Sequence, residues 1–176
     1  MNKLILIEEL TYDSEPILVN SFKNDCDVYK VNRNDNEDDF INSLDINKTY
    51  EIVAFVYHYE GSPFITIFEH TDYDEEGQAI NFEYYGFSNK IINFIERMKT
   101  EFGTTTLDLI TCDLNQSWFK DQVQLVENNY NIDIRYSVNK TGNIKNGDWI
   151  LESDNVDIKN LYFTSNIDNW NSVLSK

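Results

Sequence analysis

The sequence predicts an α/β protein, a three-layer α/β/α sandwich on a mostly parallel central sheet with a small hairpin after the third strand. Three observations lead there. Apolar, β-branched runs alternate along the chain with segments of helical spacing, which implies right-handed crossovers and helices on both faces of the sheet. One run, YEIVAFVYHY (50–59), is apolar nearly throughout, as expected of a strand buried on both faces in the middle of such a sheet. A length of 176 residues suffices for one domain with a proper core, and 2 Pro and 6 Gly leave little material for flexible linkers. Residues 1–176 are therefore expected to form a single domain.

The elements follow in order. KLILI (3–7) reads as a short opening strand. SEPILVNSF (14–22) has helical spacing, with Ser14 placed as a cap and Pro16 in the first turn. DVYKV (27–31) is strand-like, and DNEDDFINSL (35–44) puts acidic residues in the first turn of a helix, where the dipole favours them. After the central strand, FITIFE (64–69) and INFEYY (80–85) flank an acidic loop and predict the hairpin. SNKIINFIERMKTEFG (88–103) predicts an amphipathic helix: Ser88 caps it, Ile91, Ile92, Ile95 and Met98 line one side, and Gly103 ends it. TTLDLIT (105–111) reads as a strand, NQSWFKDQVQLVENN (115–129) as a helix and IDIRYSV (132–138) as a strand. GDWILES (147–153) and LYFTS (161–165) predict late strands, and a short terminal helix follows them.

Charge narrows the function classes. With 14 basic against 31 acidic residues the net charge is −17. Such a chain repels phosphate backbones and anionic lipid surfaces, because both kinds of binding rest on Lys and Arg neutralising phosphate. No nucleic acid and no membrane partner is expected; the charge serves solubility. No apolar run reaches transmembrane length, and the opening MNKLILIEELTYDSE lacks the long apolar core and small-residue cleavage site of a signal peptide. The expectation is an intracellular chain with Cys26 and Cys112 as free thiols, in which the sequons at Asn47, Asn115 and Asn139 reflect an Asn-rich sequence.

In open parallel sheets ligands bind beyond the carboxyl ends of the strands, which singles out His58 and Cys112. His58 ends the third strand, and Cys112 ends the next parallel one. An imidazole within reach of a thiol can draw off its proton and leave the nucleophilic thiolate. The spacing from position 58 to position 112 is close to the roughly 50 residues that separate the same pair in caspases. The other reading of Cys112 is a small buried residue at a strand end, and of His58 a core histidine bonded to backbone. Cys26 has no histidine near it in sequence and reads as structural.

Four stretches carry a family resemblance: ILIEELTYDSEPIL at the start, VAFVYHYEGSPF around His58, LDLITCDLNQ around Cys112, and NKTGNIKNGDWILESDNVDIKNLYF near the end. Together they resemble the caspase-like, clan CD cysteine peptidases. The closer resemblance is to the caspase-like domain of unknown function at the start of large bacterial surface and adhesin-like proteins. It covers roughly residues 3 to 165, and the Thr-Gly followed by Gly-Asp-Trp-Ile-Leu-Glu is its most specific part. It implies a caspase-like fold with Cys112 as nucleophile, His58 as base, backbone N–H groups near Tyr59, Gly61 and Cys112 as oxyanion donors, and a peptide or protein partner. No cofactor is implied.

The departures from the family pattern bear on chemistry. Glycine usually follows the histidine in active members, whereas Tyr59 stands here and the glycine comes at Gly61. The Gln-Ala-Cys-x-Gly signature is replaced by Thr111-Cys112-Asp113, and an adjacent carboxylate raises a thiol pKa. A helix start after the cysteine works the other way. These departures weigh toward a non-catalytic or weakly active binding or structural module that retains the His–Cys pair. The alternative is an active clan CD-like cysteine peptidase, self-processing in one version. Arg33, Arg97 and Arg135 are the available arginines, and the acidic surface suits basic substrate residues better than acidic ones.

Two further features stand apart. DYDEEGQAINFE (72–83) fits the spacing of a calcium loop through Asp72, Asp74, Glu76, Gly77 and Glu83, with His70 nearby. Against that, Glu stands at the fifth position, Ile80 at the ninth, and the flanks read as strands, so a solvated hairpin loop competes with a calcium site. The aromatic residues Tyr57, Tyr59, Phe64, Phe82, Tyr84, Tyr85 and Phe87 surround His58 in sequence. Those not in the core offer an apolar pocket for a partner, and a peptide pairing with an exposed strand edge is the other expected mode.

Overall fold

The structure is a computed structural model, and it describes residues 2–61, 63–68, 76, 83–144 and 146–175. Strands β1 (Asn2–Glu8), β2 (Cys26–Val31), β3 (Tyr50–Val56), β4 (Thr106–Ile110) and β5 (Asp133–Tyr136) form one parallel sheet in the order β2-β1-β3-β4-β5. β1 and β3 are the most apolar runs and lie inside the sheet; Leu4, Ile5, Leu6, Phe55 and Val56 are fully buried. β2, which carries Asp27, Tyr29 and Lys30 and is the least buried strand of the sheet, forms one margin.

The crossovers divide the chain between two faces. Helices α1 (Glu9–Ser14) and α2 (Pro16–Val19) join β1 to β2 on one face, where Leu18 packs with Ile5, Ile7 and Val56. α3 (Glu37–Ser43), α4 (Asn89–Phe102) and α5 (Ser117–Tyr130) connect the remaining strands on the opposite face. Their apolar stripes, Ile41, Ile91, Phe94, Ile95, Phe119, Val123 and Val126, meet Leu4, Leu6, Val53 and Phe55 from the sheet. The direction in which strands are added reverses between β1 and β3, which is where doubly wound sheets open a crevice.

Local chemistry sets the helix limits. The Ser88 hydroxyl accepts the Ile91 N–H (3.1 Å) at the start of α4, and Gly103 ends it in the left-handed region (φ 74°). Asn36 caps α3 by accepting the Asp39 N–H (2.9 Å). Of the helix expected over 14–22, only Pro16–Val19 forms: Pro16 opens it, Glu15 and not Ser14 stands at its N-cap, and Ser14 is the last residue of α1.

After β5 the chain returns to the α1/α2 face. β6 (Ile150–Leu151) and β7 (Val156–Asp157) form a small antiparallel hairpin, followed by α6 (Lys159–Tyr162) and a 3-10 turn (Ser165–Asn169). The late strand expected over 161–165 is therefore helix and turn. The Asp157 carboxylate caps the Lys159 N–H (2.9 Å), and the helix lets Tyr162 reach inward to Asp108. Of the hairpin expected after β3, Phe64–Phe68 and Glu83–Tyr85 contain no strand, and residues 69–75 and 77–82 lie outside the described residues.

β5 is the other margin of the sheet, and side chains cover its outward N–H groups. Glu127 accepts from Ile134 (2.8 Å) and Ser153 from Tyr136 (2.9 Å), and just beyond the strand Glu152 accepts from Val138 (2.8 Å). Pairing of a peptide along this edge, one of the expected modes, is blocked at these donors. Among the described residues no helix is long and apolar enough to cross a membrane.

Candidate functional site at the carboxyl edge of the sheet

Val56 and Ile110 are register partners at the ends of β3 and β4, and the Tyr57 N–H still donates to the Ile110 carbonyl (3.3 Å). The two loops that follow are thus neighbours. Alternation puts Val56, Ile110 and Cys112 on the α1/α2 face, and His58 has the same parity as Val56. The structure accordingly brings His58 and Cys112 to one end and one face of the sheet, on adjacent strand ends.

His58 is held from the α1/α2 side. Its Nε2 lies 3.3 Å from Glu15 Oε1, and its backbone N–H donates to the Thr11 hydroxyl (3.2 Å). That hydroxyl donates in turn to Glu8, whose carboxylate also accepts the Thr11 N–H (3.1 Å). Arg33 links this cluster outward, with Nε 3.3 Å from Glu8 and a terminal nitrogen 2.8 Å from Glu60. The position of the imidazole is set by a carboxylate that no sequence motif announces: Glu15 sits just before Pro16, where the turn between α1 and α2 aims it at His58.

Cys112 is fully buried, 0% exposed. Its sulfur accepts the Thr141 N–H (3.2 Å), and the Leu174 N–H, which donates to the Thr141 carbonyl, lies close by. Burial pushes the thiol up to about 11; the Asp113 carboxylate adds to the rise, and the two N–H groups and Lys140 only partly offset it. At pH 7 that leaves on the order of one thiol in ten thousand ionised, against a few per cent for a free cysteine. Cys26 is also a free, buried thiol, held up at about 11 by burial, and has no part in this site.

The segment that carries Thr141 closes over the thiol. The Thr141 hydroxyl donates to the Thr111 carbonyl (2.6 Å), and the Leu174 N–H donates to the Thr141 carbonyl (3.0 Å). Gly142 (φ 143°) is required by a close approach: a Cβ there would stand 2.3 Å from the Ser172 carbonyl oxygen. Tyr59, expected as an oxyanion donor, instead gives its N–H to the Leu174 carbonyl (3.0 Å), and its hydroxyl accepts from Gln116 (3.1 Å). An open cleft of about 540 Å³ is lined by Tyr59, Glu60, Gly61, Asp113 and Ser175, the residues that follow His58 and Cys112 in sequence among them, but not by His58 or Cys112 themselves.

No family model, curated protein or solved structure matches this chain. What the site can do rests on its own residues. A buried, protonated thiol beneath a strap of backbone is arranged for packing and for hydrogen bonding, and a nucleophile in this position needs the strap to move.

The other candidates are placed as follows. Arg135 forms a two-pronged ion pair with fully buried Asp108 (2.6 and 2.7 Å), and Arg97 pairs with Asp38 and Glu101 on the far side of the molecule. Tyr57, Tyr84 and Phe87 are core, whereas Tyr85 is exposed and packs with Phe64 and Trp118. Phe82, His70, Asp72 and Asp74 lie outside the described residues, while Glu76 and Glu83 are exposed. Among the described residues no group of three or more His, Cys, Asp or Glu is arranged to hold a metal. Thr11, Glu15 and Leu174 were not singled out from sequence. Thr141 and Gly142 were, as part of the Thr-Gly stretch, but without a role.

Proposed function

We propose that the chain is a caspase-like module whose His58 and Cys112 are fixed parts of a binding element and do not operate as a working dyad. One observation carries this reading: the Cys112 thiol is fully buried, accepts the Thr141 N–H and is pushed up to about 11. The strand order and the placement of histidine and cysteine on neighbouring strand ends support the caspase-like part. The same placement favours the alternative, a cysteine peptidase with Cys112 as nucleophile and His58 as base.

Iodoacetamide labelling at pH 7.5, read by mass spectrometry of the Cys112 peptide, separates the two. The expected result is labelling roughly a hundredfold slower than free cysteine, and unchanged in His58→Ala. Fast labelling of the intact chain that drops in His58→Ala would establish the peptidase.

A further inference from the structure

Residues 172–175 pass the carboxyl ends of β3 and β4 with isolated bridges at Val173 and Ser175 and a bend at Leu174, and meet a loop on each side. On one side the Tyr59 N–H donates to the Leu174 carbonyl, with Ser175 bridging in parallel to Tyr59. On the other, Leu174 donates to Thr141, Asn143 donates to the Ser172 carbonyl (3.0 Å), and Val173 bridges in antiparallel fashion to Gly142. This is the bonding of a strand added between two others, supplied by main-chain groups that any extended peptide possesses. Leu174 is fully buried among Val56, Ile110 and Cys112, as an anchor side chain in a pocket. Ser175 then lines the open cleft together with Tyr59, Glu60, Gly61 and Asp113, Glu60 being paired with Arg33.

We propose that this channel is a peptide-binding groove for an extended segment bearing a leucine-sized aliphatic anchor, and that residues 172–175 are its resident, displaceable occupant. The proposal deepens the binding-module reading and rests on it. The missing Cβ of Gly142 lets the occupant's backbone approach, the apolar floor around Cys112 selects the anchor, and the Asp113 side of the cleft favours a basic residue beyond it. A peptide in trans competes through the same hydrogen bonds, so its affinity reports the strap's own local opening equilibrium.

The test uses Cys112 as reporter. The chain shortened by residues 172–176 is expected to label with iodoacetamide at least about tenfold faster than the full chain, with its far-UV circular dichroism retained. The synthetic peptide Asn-Ser-Val-Leu-Ser-Lys at millimolar concentration restores protection, and the same peptide with Asp for Leu does not. Unchanged labelling on shortening, or faster labelling that the peptide cannot reverse, overturns the proposal. Should the shortened chain lose its secondary structure, full-length Leu174→Ala decides: faster labelling reversed by the peptide upholds the groove, and persistent protection or irreversible exposure sinks it. Failure here leaves the labelling of the intact chain untouched, whereas failure of the binding-module reading appears there, as His58-dependent reactivity.

Discussion

On one face of the sheet, α3, α4 and α5 lay continuous apolar stripes over β1, β3 and β4. On the other, α1 and α2 share the cover with residues 139–144 and 146–175, which among the described residues are helical only in pieces of four and five. The first face is held by repetition: Phe94 touches the rings of Phe40, Phe55 and Phe68, and Phe119 stacks on Phe87. The second is pinned by individual polar contacts. Asp108 takes Arg135 and Tyr162 at the centre of the sheet; Asn143 ties the Ile167 and Trp170 carbonyls to the Trp149 indole; Glu15 holds both His58 and Trp170. A helical cover tolerates small losses because its contacts are many. A pinned cover depends on a few groups, and it can be released locally. The candidate site lies on the pinned face.

The sharpest way to break this contrast is to remove one pin. Asp108→Ala leaves Arg135 half-buried and the Tyr162 hydroxyl without its acceptor, and is expected to cost about 3–5 kcal/mol in urea denaturation. A loss below about 1 kcal/mol would mean the second face is held by packing like the first. Phe94→Ala on the helical face is expected to cost about 3 kcal/mol, as a cavity among Phe55, Phe68 and Ile95. Cys112 should stay as protected from labelling as before, because that loss is global and not local to the strap.

Asn143→Ala removes three hydrogen bonds at once and is expected to cost about 1–3 kcal/mol. Hydrogen exchange should then quicken at Trp170–Leu174 and leave α4 unaffected; uniform acceleration would remove the distinction between the faces. The smallest effect sharpens the comparison from the other side: Ser88→Ala deletes the α4 cap and should cost about 1 kcal/mol, with no change at the strap.

Acid titration probes the margin of the sheet. Burial raises Glu127 above its ordinary 4.5, with Asp133 and Asp154 adding to the rise. A carboxyl that is raised in the folded state binds its proton sooner there than in the unfolded chain. Stability should therefore increase as the pH falls from neutrality toward 4.5. It should then be lost below about pH 4, where Asp25 and Asp38, held below 3.8 by Lys3 and Arg97, are forced to protonate. Thermal melting of Glu127→Gln against pH should show a flatter rise.

Most of the helical face was legible in the sequence, because periodicity reports repeated burial. The run 50–59, the Ser88 cap and Gly103 located β3 and α4 within a few residues. His58 and Cys112 were legible as strand-end residues, since parallel strands bring such ends together. The pinned face was not. LYFTS has the composition of a strand, yet Leu161 and Tyr162 end α6, where the Asp157 cap and the bond from Tyr162 to Asp108 favour the helix. Glu15 and Leu174 gain their roles from contacts more than a hundred positions apart along the chain, with Trp170 and with Tyr59 respectively, and no local pattern encodes such a meeting.

The capped margin of β5 bears on how the chain behaves in crowded solution. Glu127, Ser153 and Glu152 occupy the N–H groups that a strand from another copy would need, and two of the three bring negative charge to that line. A second copy arrives with the same charges. Sheet growth by copying, the step that seeds fibrils, is opposed there by absent donors and by repulsion together.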